Sequence, residues 1–264
     1  MAELRSSDLN ILLVEPSAMQ RKIIRKELNK ERVDAIDEAG SVATALERIH
    51  AVKPDLVISC LYLPDGSAMD LLQQIRESDE TSDLPFMLVS SETRHSELDQ
   101  FKQSGVIAIL PKPFNHDHLV TALNSTLDLL SNDELDLEFY DPASLRVLVV
   151  DDSRMARNVI IKVLGNLGID QITQAEDGAE AITLLPQGFD LVVTDFNMPQ
   201  VNGLELAEHI RNSADYSHLP ILMVTSESRQ THLSNVAKSG VNAMTDKPFE
   251  PATVKQLLTR ILEA

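Results

Sequence analysis

The sequence predicts an α/β chain of two like domains, each a five-stranded parallel sheet layered between helices. Three observations predict it: a length of 264 residues, a repeat at a fixed offset, and short apolar runs alternating with stretches of helical periodicity. At about one to two hundred residues per domain, the length suits two domains. The repeat fills nearly all of it. Ile11 to Ser17 reads I-L-L-V-E-P-S and Val147 to Ser153 reads V-L-V-V-D-D-S, an offset of 136. D-L-V-I-S-C at Asp55 to Cys60 answers D-L-V-V-T-D at Asp190 to Asp195, an offset of 135. The same 135 relates L-P-F-M-L-V-S-S-E at Leu84 to Glu92 with L-P-I-L-M-V-T-S-E at Leu219 to Glu227, and the K-P-F at Lys112 with that at Lys247. One deletion in the second copy near Pro186 to Gly188 accounts for the step.

In the second copy, strands are predicted at Val147 to Val150, Gln171 to Ala175, Leu191 to Thr194, Ile221 to Val224 and Ala243 to Thr245. The first, third and fourth are almost wholly apolar, as strands covered on both faces must be. Met155, Val159, Val163 and Leu167 recur every four residues along one helical face, and Gly168 supplies a stop. Five βα units with short connections imply right-handed crossovers and helices on both faces of a parallel sheet. In such a fold ligands bind beyond the carboxyl ends of the strands. The expected division is a first domain over 1–130, an acidic linker over 131–144 and a second domain over 145–264. The linker carries Asp133, Glu134, Asp136, Glu138 and Asp141 without a base, and reads as a solvated tether or a frayed helix extension. Leu135, Leu137, Phe139 and Tyr140 are nonetheless apolar enough to dock it on a domain.

Composition excludes several classes. The chain has 23 Lys and Arg against 41 Asp and Glu, a formal charge of -18, and no basic run. Nucleic-acid binding is not expected, because it needs clustered cations to displace phosphate counterions. The single Cys60 excludes a disulfide scaffold and suits a reducing, cytoplasmic location. No signal-like N-terminus and no stretch of about 18 apolar residues is present, so neither export nor a membrane partner is expected.

Three aspartates fall at strand ends of the second copy: Asp151 and Asp152 after the first strand, and Asp195 after the third. Two unit charges about 4 Å apart interact by about 4 kcal/mol at an effective dielectric of 20, so converging carboxylates call for a cation. All-oxygen donors select Mg²⁺, Mn²⁺ or Ca²⁺, and few protein ligands favour Mg²⁺. Thr225 after the fourth strand offers a hydroxyl, and Lys247 after the fifth a positive charge. Together they suit a carboxylate that accepts a phosphoryl group, with Asp195 attacking. Each residue alone is as readily a helix cap or a surface lysine; five at successive strand ends are not.

Asp151-Asp152, D-F-N-M-P at Asp195 to Pro199, G-L-E-L at Gly203 to Leu206, M-V-T-S-E at Met223 to Glu227 and K-P-F at Lys247 to Phe249 resemble a bacterial response-regulator receiver domain. Among receivers the likeness is to the chemotaxis regulator of the CheY type, over Leu145 to Ala264. The resemblance implies a flavodoxin-like (βα)5 fold of three layers with strand order 2-1-3-4-5. It also implies phosphorylation of Asp195 by a histidine kinase or phosphotransfer protein. Mg²⁺ would be held by Asp152, Asp195 and the backbone carbonyl of Asn197, with Asp151 supporting through water; Thr225 and Lys247 would read the phosphoryl group, and Lys247-Pro248 would be cis. Haloacid-dehalogenase-type phosphatases place a catalytic Asp two residues beyond their nucleophile. Here that residue is Asn197, which exchanges no proton, so slow hydrolysis rather than enzymatic turnover is expected. Met244 stands where receivers carry a switch aromatic, a departure that puts the usual output coupling in question.

The first copy lacks the chemistry. Glu15 replaces Asp151, Pro16 replaces Asp152 and Cys60 replaces Asp195, while Ser90 and Lys112 survive. A pseudo-receiver kept for contacts is expected, with Cys60 an inert buried thiol and Glu15 and Asp65 at most weak cation ligands. The leading expectation for the whole is a stand-alone response regulator that signals through phosphorylation-controlled binding of a downstream protein. Receiver pairing within the chain or between two copies is open. The alternatives are the regulatory half of an enzyme such as a diguanylate cyclase, or a phosphate sink.

Overall fold

The computed structural model describes residues 4–78, 80–92, 95–114, 116–131, 134–226 and 240–263. They divide into two compact units, Met1–Ser131 and Asn132–Ala264. In the first unit β1 (Ile11–Val14), β2 (Ile36–Ala39), β3 (Leu56–Cys60), β6 (Phe86–Ser90) and β7 (Ala108–Pro111) form the sheet. A two-stranded hairpin, β4 (Tyr62–Leu63) with β5 (Gly66–Ser67), follows β3. The helices are α1 (Ala18–Lys30), α2 (Val42–Val52), α3 (Ala68–Glu77), α4 (His95–Gln103) and α5 (His116–Leu130). In the second unit β8 (Arg146–Val150), α6 (Arg154–Asn166), β9 (Gln171–Ala175), α7 (Gly178–Leu184), β10 (Leu191–Asp195), α8 (Gly203–Asn212), β11 (Ile221–Thr225), β12 (Ala243–Asp246) and α9 (Pro251–Leu262) follow in turn.

Both sheets are wholly parallel. Their strand orders are β2-β1-β3-β6-β7 and β9-β8-β10-β11-β12, the expected 2-1-3-4-5 in each copy. The register sets Thr194 beside Val150 and Asp195 beside Val224, so the ends of β8, β10 and β11 finish at one edge. Alternation along each strand feeds the two layers: Leu148, Val150 and Val192 pack with Ala181, Leu185, Leu206, Ala207 and Ile210 of the α7 and α8 side. In the first unit Leu12, Val14 and Val57 do the same against Val42, Ala45 and Ile49 of α2 and Leu71, Leu72 and Ile75 of α3.

The deletion near Pro186 to Gly188 has a local consequence. Where α2 runs 11 residues, α7 runs 7 and closes through a 3-10 turn over Leu185–Gln187, with Gly188 at φ 79°. The stripe on α6 is rotated from the sequence expectation. Ala156, Arg157, Ile160, Val163 and Leu164 are buried, whereas Met155 and Val159 sit half-buried at its edge. An i, i+4 row drifts around a helix of 3.6 residues per turn, so only its Val163 and Leu167 end stays in the core. Gly168, at φ 88°, takes the left-handed position that ends the helix.

The acidic segment is not simply a solvated tether. Leu135 is buried and its N–H donates to Leu167 O at 2.9 Å, Glu138 N–H donates to Glu263 Oε1 at 2.7 Å, and Gln171 Nε2 donates to Ala143 O at 2.9 Å. Burial of Leu135 against the end of α6 offsets the ordering of a polar stretch. Phe139 and Tyr140 remain exposed. Asp133 of this segment, Glu227, and the helix expected between β11 and β12 lie outside the described residues.

Candidate phosphoacceptor site

Sheet register, not sequence proximity, assembles the site of the second unit. Asp151 follows β8, Asp195 ends β10, Thr225 ends β11, and Lys247 follows β12, with its N–H bonded to Thr225 O at 2.6 Å. One carboxylate oxygen from each of Asp151, Asp152 and Asp195 lies within 4.8 Å of the others. Asp151 and Asp195 are buried, while Asp152 is exposed. Lys247 Nζ bridges the two buried acids, at 2.7 Å from Asp151 Oδ2 and 3.0 Å from Asp195 Oδ1. Asp151 Oδ1 accepts Ser153 N–H at 2.9 Å, so both its oxygens are engaged. Arg157, on α6, donates to Asp151 O and pairs with Glu176.

The other oxygen of Asp195 is different. Oδ2 is buried and finds no hydrogen-bond partner among the described residues. Burying a carboxylate oxygen without a partner is costly, and such atoms concentrate where a ligand completes the structure. Burial pushes the Asp195 carboxyl up to about 6; the Lys247 ammonium opposes that shift and the Asp151 charge reinforces it. Asp151 is also raised, by burial first and against the pull of Lys247. Burial alone would lower Lys247, but the two facing carboxylates outweigh it and raise the ammonium. A hard dication fits this donor set: three carboxylates, all oxygen, with one buried oxygen unsatisfied.

Asn197 lies in the loop after β10, half-buried and two residues beyond Asp195. Lys247-Pro248 and Lys112-Pro113 are both cis. Met244 is half-buried in β12. Two glycines shape the loop: a Cβ on Gly203 would collide with Asp195 O, and one on Gly178 would stand 2.6 Å from Val201 O. Gly203 stands in G-L-E-L, and Gly178, on another helix, belongs to no motif the sequence shows.

The first unit keeps half of the arrangement. Lys112 Nζ bonds Glu15 Oε2 at 2.9 Å, and Glu15 Oε1 accepts Ser17 N–H at 3.0 Å, copying the Lys247, Asp151 and Ser153 contacts. Glu15 is therefore buried and neutralised rather than a solvated ligand. Asp65 is committed as well, accepting Val42 N–H at 2.7 Å and Ala43 N–H at 3.0 Å at the start of α2. Cys60 Sγ donates to Tyr62 O at 3.1 Å, and burial, with Glu15 nearby, pushes the thiol up to about 11. A thiol so raised is a poor nucleophile at neutral pH. Ser90 is buried and accepts Glu92 N–H at 2.9 Å.

The sequence profile described as Response regulator receiver domain matches residues 11–124 and again 147–259. The chain belongs to the response-regulator receiver family and carries the domain twice, as a tandem receiver. It is similar to Chemotaxis protein CheY-3 of Vibrio cholerae serotype O1, 39% identical over 121 residues, which cover 46% of this chain and 93% of that protein. It is also similar to the Chemotaxis protein CheY homolog of Campylobacter jejuni, 41% identical over 120 residues, 45% of this chain and 92% of that protein. Among solved structures, Vibrio cholerae chemotaxis protein CheY4 is 33% identical, covers 45% of this chain and 98% of its own, and superposes with a TM-score of 0.42. Among the described residues, no helix is long and apolar enough to cross a membrane.

Proposed function

We propose that the second receiver accepts a phosphoryl group on Asp195 from a phosphohistidine of a kinase or phosphotransfer protein, and that the first receiver does not. The observation that carries this reading is Asp195 itself: one oxygen is held by Lys247 and the other is buried, unpartnered and beside two more carboxylates. Lys247 fixes the rotamer through Oδ1, which leaves Oδ2 as the nucleophile. An Oδ2–P bond forms as the donor's N–P bond breaks, and the bonding pair leaves with the imidazole. Lys247 is then placed to face the new negative charge, and the Thr225 hydroxyl to hydrogen-bond one phosphoryl oxygen. Asp151, Asp152, Asp195 and the Asn197 carbonyl would hold Mg²⁺, which when bound supplies neutralisation of the phosphoryl oxygens.

Hydrolysis is slow in this reading because Asn197 is neither acid nor base, so the chain acts as a switch rather than an enzyme. The phosphoryl group adds about -1.5 to -2 charge at neutral pH, and that charge biases binding of a downstream protein. Glu15, Pro16 and Cys60 leave the first unit without an acceptor carboxylate. Labelling with acetyl phosphate and Mg²⁺, mapped by mass spectrometry of peptides, tests this directly. Label is expected on Asp195 alone and is lost in Asp195→Asn; label that persists in that variant, or that maps to the first unit, overturns the assignment.

A further inference from the structure

The two units treat the contact between a helix start and the loop after the third strand in opposite ways. In the second unit Gly178, the first residue of α7, donates its N–H to Val201 O at 3.0 Å, and a Cβ there would also meet Val201 Cγ1 at 2.7 Å. By the repeat, Val42 stands where Gly178 does, and Gly66 where Val201 does. The small and large residues have changed places across the contact. A Cβ on Gly66 would lie 3.2 Å from Val42 Cγ2, so each unit is packed for its own arrangement.

The tether changes with the packing. In the first unit the Val42 amide is satisfied by the Asp65 side chain, and the loop folds into the β4–β5 hairpin. In the second unit the equivalent amide holds the loop's main chain at Val201 O, with Gln200 at φ 60°; the base of the loop closes alike in both units, Gly203 N–H on Phe196 O at 3.0 Å and Ala68 N–H on Leu61 O at 2.9 Å. A side-chain tether leaves the backbone free to take another path; a main-chain tether fixes where its carbonyls lie. The unit that keeps the acidic cluster is the one that keeps the main-chain tether.

We infer that Gly178 is a positioning residue for the metal site: by admitting the Val201 carbonyl against the α7 amide, it fixes the 196–202 loop and with it the Asn197 carbonyl. This rests on the Mg²⁺ reading of the Asp195 site. Partners outside the ligand set commonly change metal affinity about 10- to 100-fold when altered. Two variants of the full chain test it by calorimetric titration with Mg²⁺, beside metal-free unfolding curves. Gly178→Ala introduces the clash with the carbonyl. The pair Gly178→Val with Val201→Gly installs the packing of the first unit, which folds there, so that folding and positioning separate.

Both variants are expected to bind Mg²⁺ about tenfold more weakly, while the pair keeps the cooperative metal-free unfolding of the second unit. A loss below about threefold in either folded variant overturns the inference. A pair variant that fails to fold overturns it too, since the contact is then not interchangeable. Wild-type protein that takes up no Mg²⁺ overturns both this inference and the proposed function; wild-type and variants that bind alike overturn this inference alone.

Discussion

Asp151, Asp195 and Lys247 are held out of water together, so the cluster carries a stability cost. The folded-state pKa of Asp195, about 6, stands above the unfolded value near 3.8. The native state therefore binds the extra proton between those values, and stability is lost as pH rises from about 4 to about 6. Asp195→Asn has no such proton to lose and can still accept from Lys247. In metal-free buffer it is expected to be more stable than wild type at pH 7.5 by about 1 to 3 kcal/mol, with a smaller gain at pH 5. Urea unfolding at both pH values measures it, and a gain that shrinks toward pH 7.5 contradicts the sign. The strand-end positions of Asp151, Asp195 and Thr225 were legible because each closes an apolar run, and that of Lys247 because both copies carry K-P-F there. Which of the adjacent pair Asp151 and Asp152 is buried was not legible, since that depends on how the chain turns after leaving the pleat.

At the scale of elements, apolar continuity gave strands that agree with the structure to within one residue at either end in the second unit. The β4–β5 hairpin escaped because two-residue strands carry no period, and the Gly178 contact escaped because it joins elements far apart in sequence. Glycines differ sharply in what surrounds them. A Cβ on Gly165, in α6, would meet nothing within 4 Å, whereas Gly168 needs its positive φ. Gly165→Ala is accordingly expected to stabilise the second unit by about 0.5 to 1 kcal/mol, through lower unfolded-chain entropy and better helix propensity. A rise in its thermal midpoint with unchanged acetyl phosphate labelling is the outcome to look for.

For the whole molecule, the repeat made both domains visible, because a fixed offset with matched strand ends leaves few alternatives. The linker lies outside the repeat: its four apolar residues pointed to docking, but only tertiary packing decides that Leu135 is buried while Phe139 and Tyr140 are not. Two units with separate cores and one acidic cluster among the described residues should respond separately to metal. Mg²⁺ at about a hundred times its dissociation constant is expected to stabilise the second unit by about 2.7 kcal/mol and to leave the first where it was. Calorimetric scans with and without Mg²⁺ would show one transition moving; two moving together contradict it. The Lys112–Glu15 pair also bears on what the first pocket can lose and still fold. Without Lys112 the buried Glu15 carboxylate would have no cation, a folding defect of several kcal/mol. With Cys60 in place of a carboxylate, Lys112 still keeps a partner in Glu15. The two ends of that pocket are therefore unequal: it tolerates the loss of a carboxylate at position 60, but not of the cation that Glu15 needs.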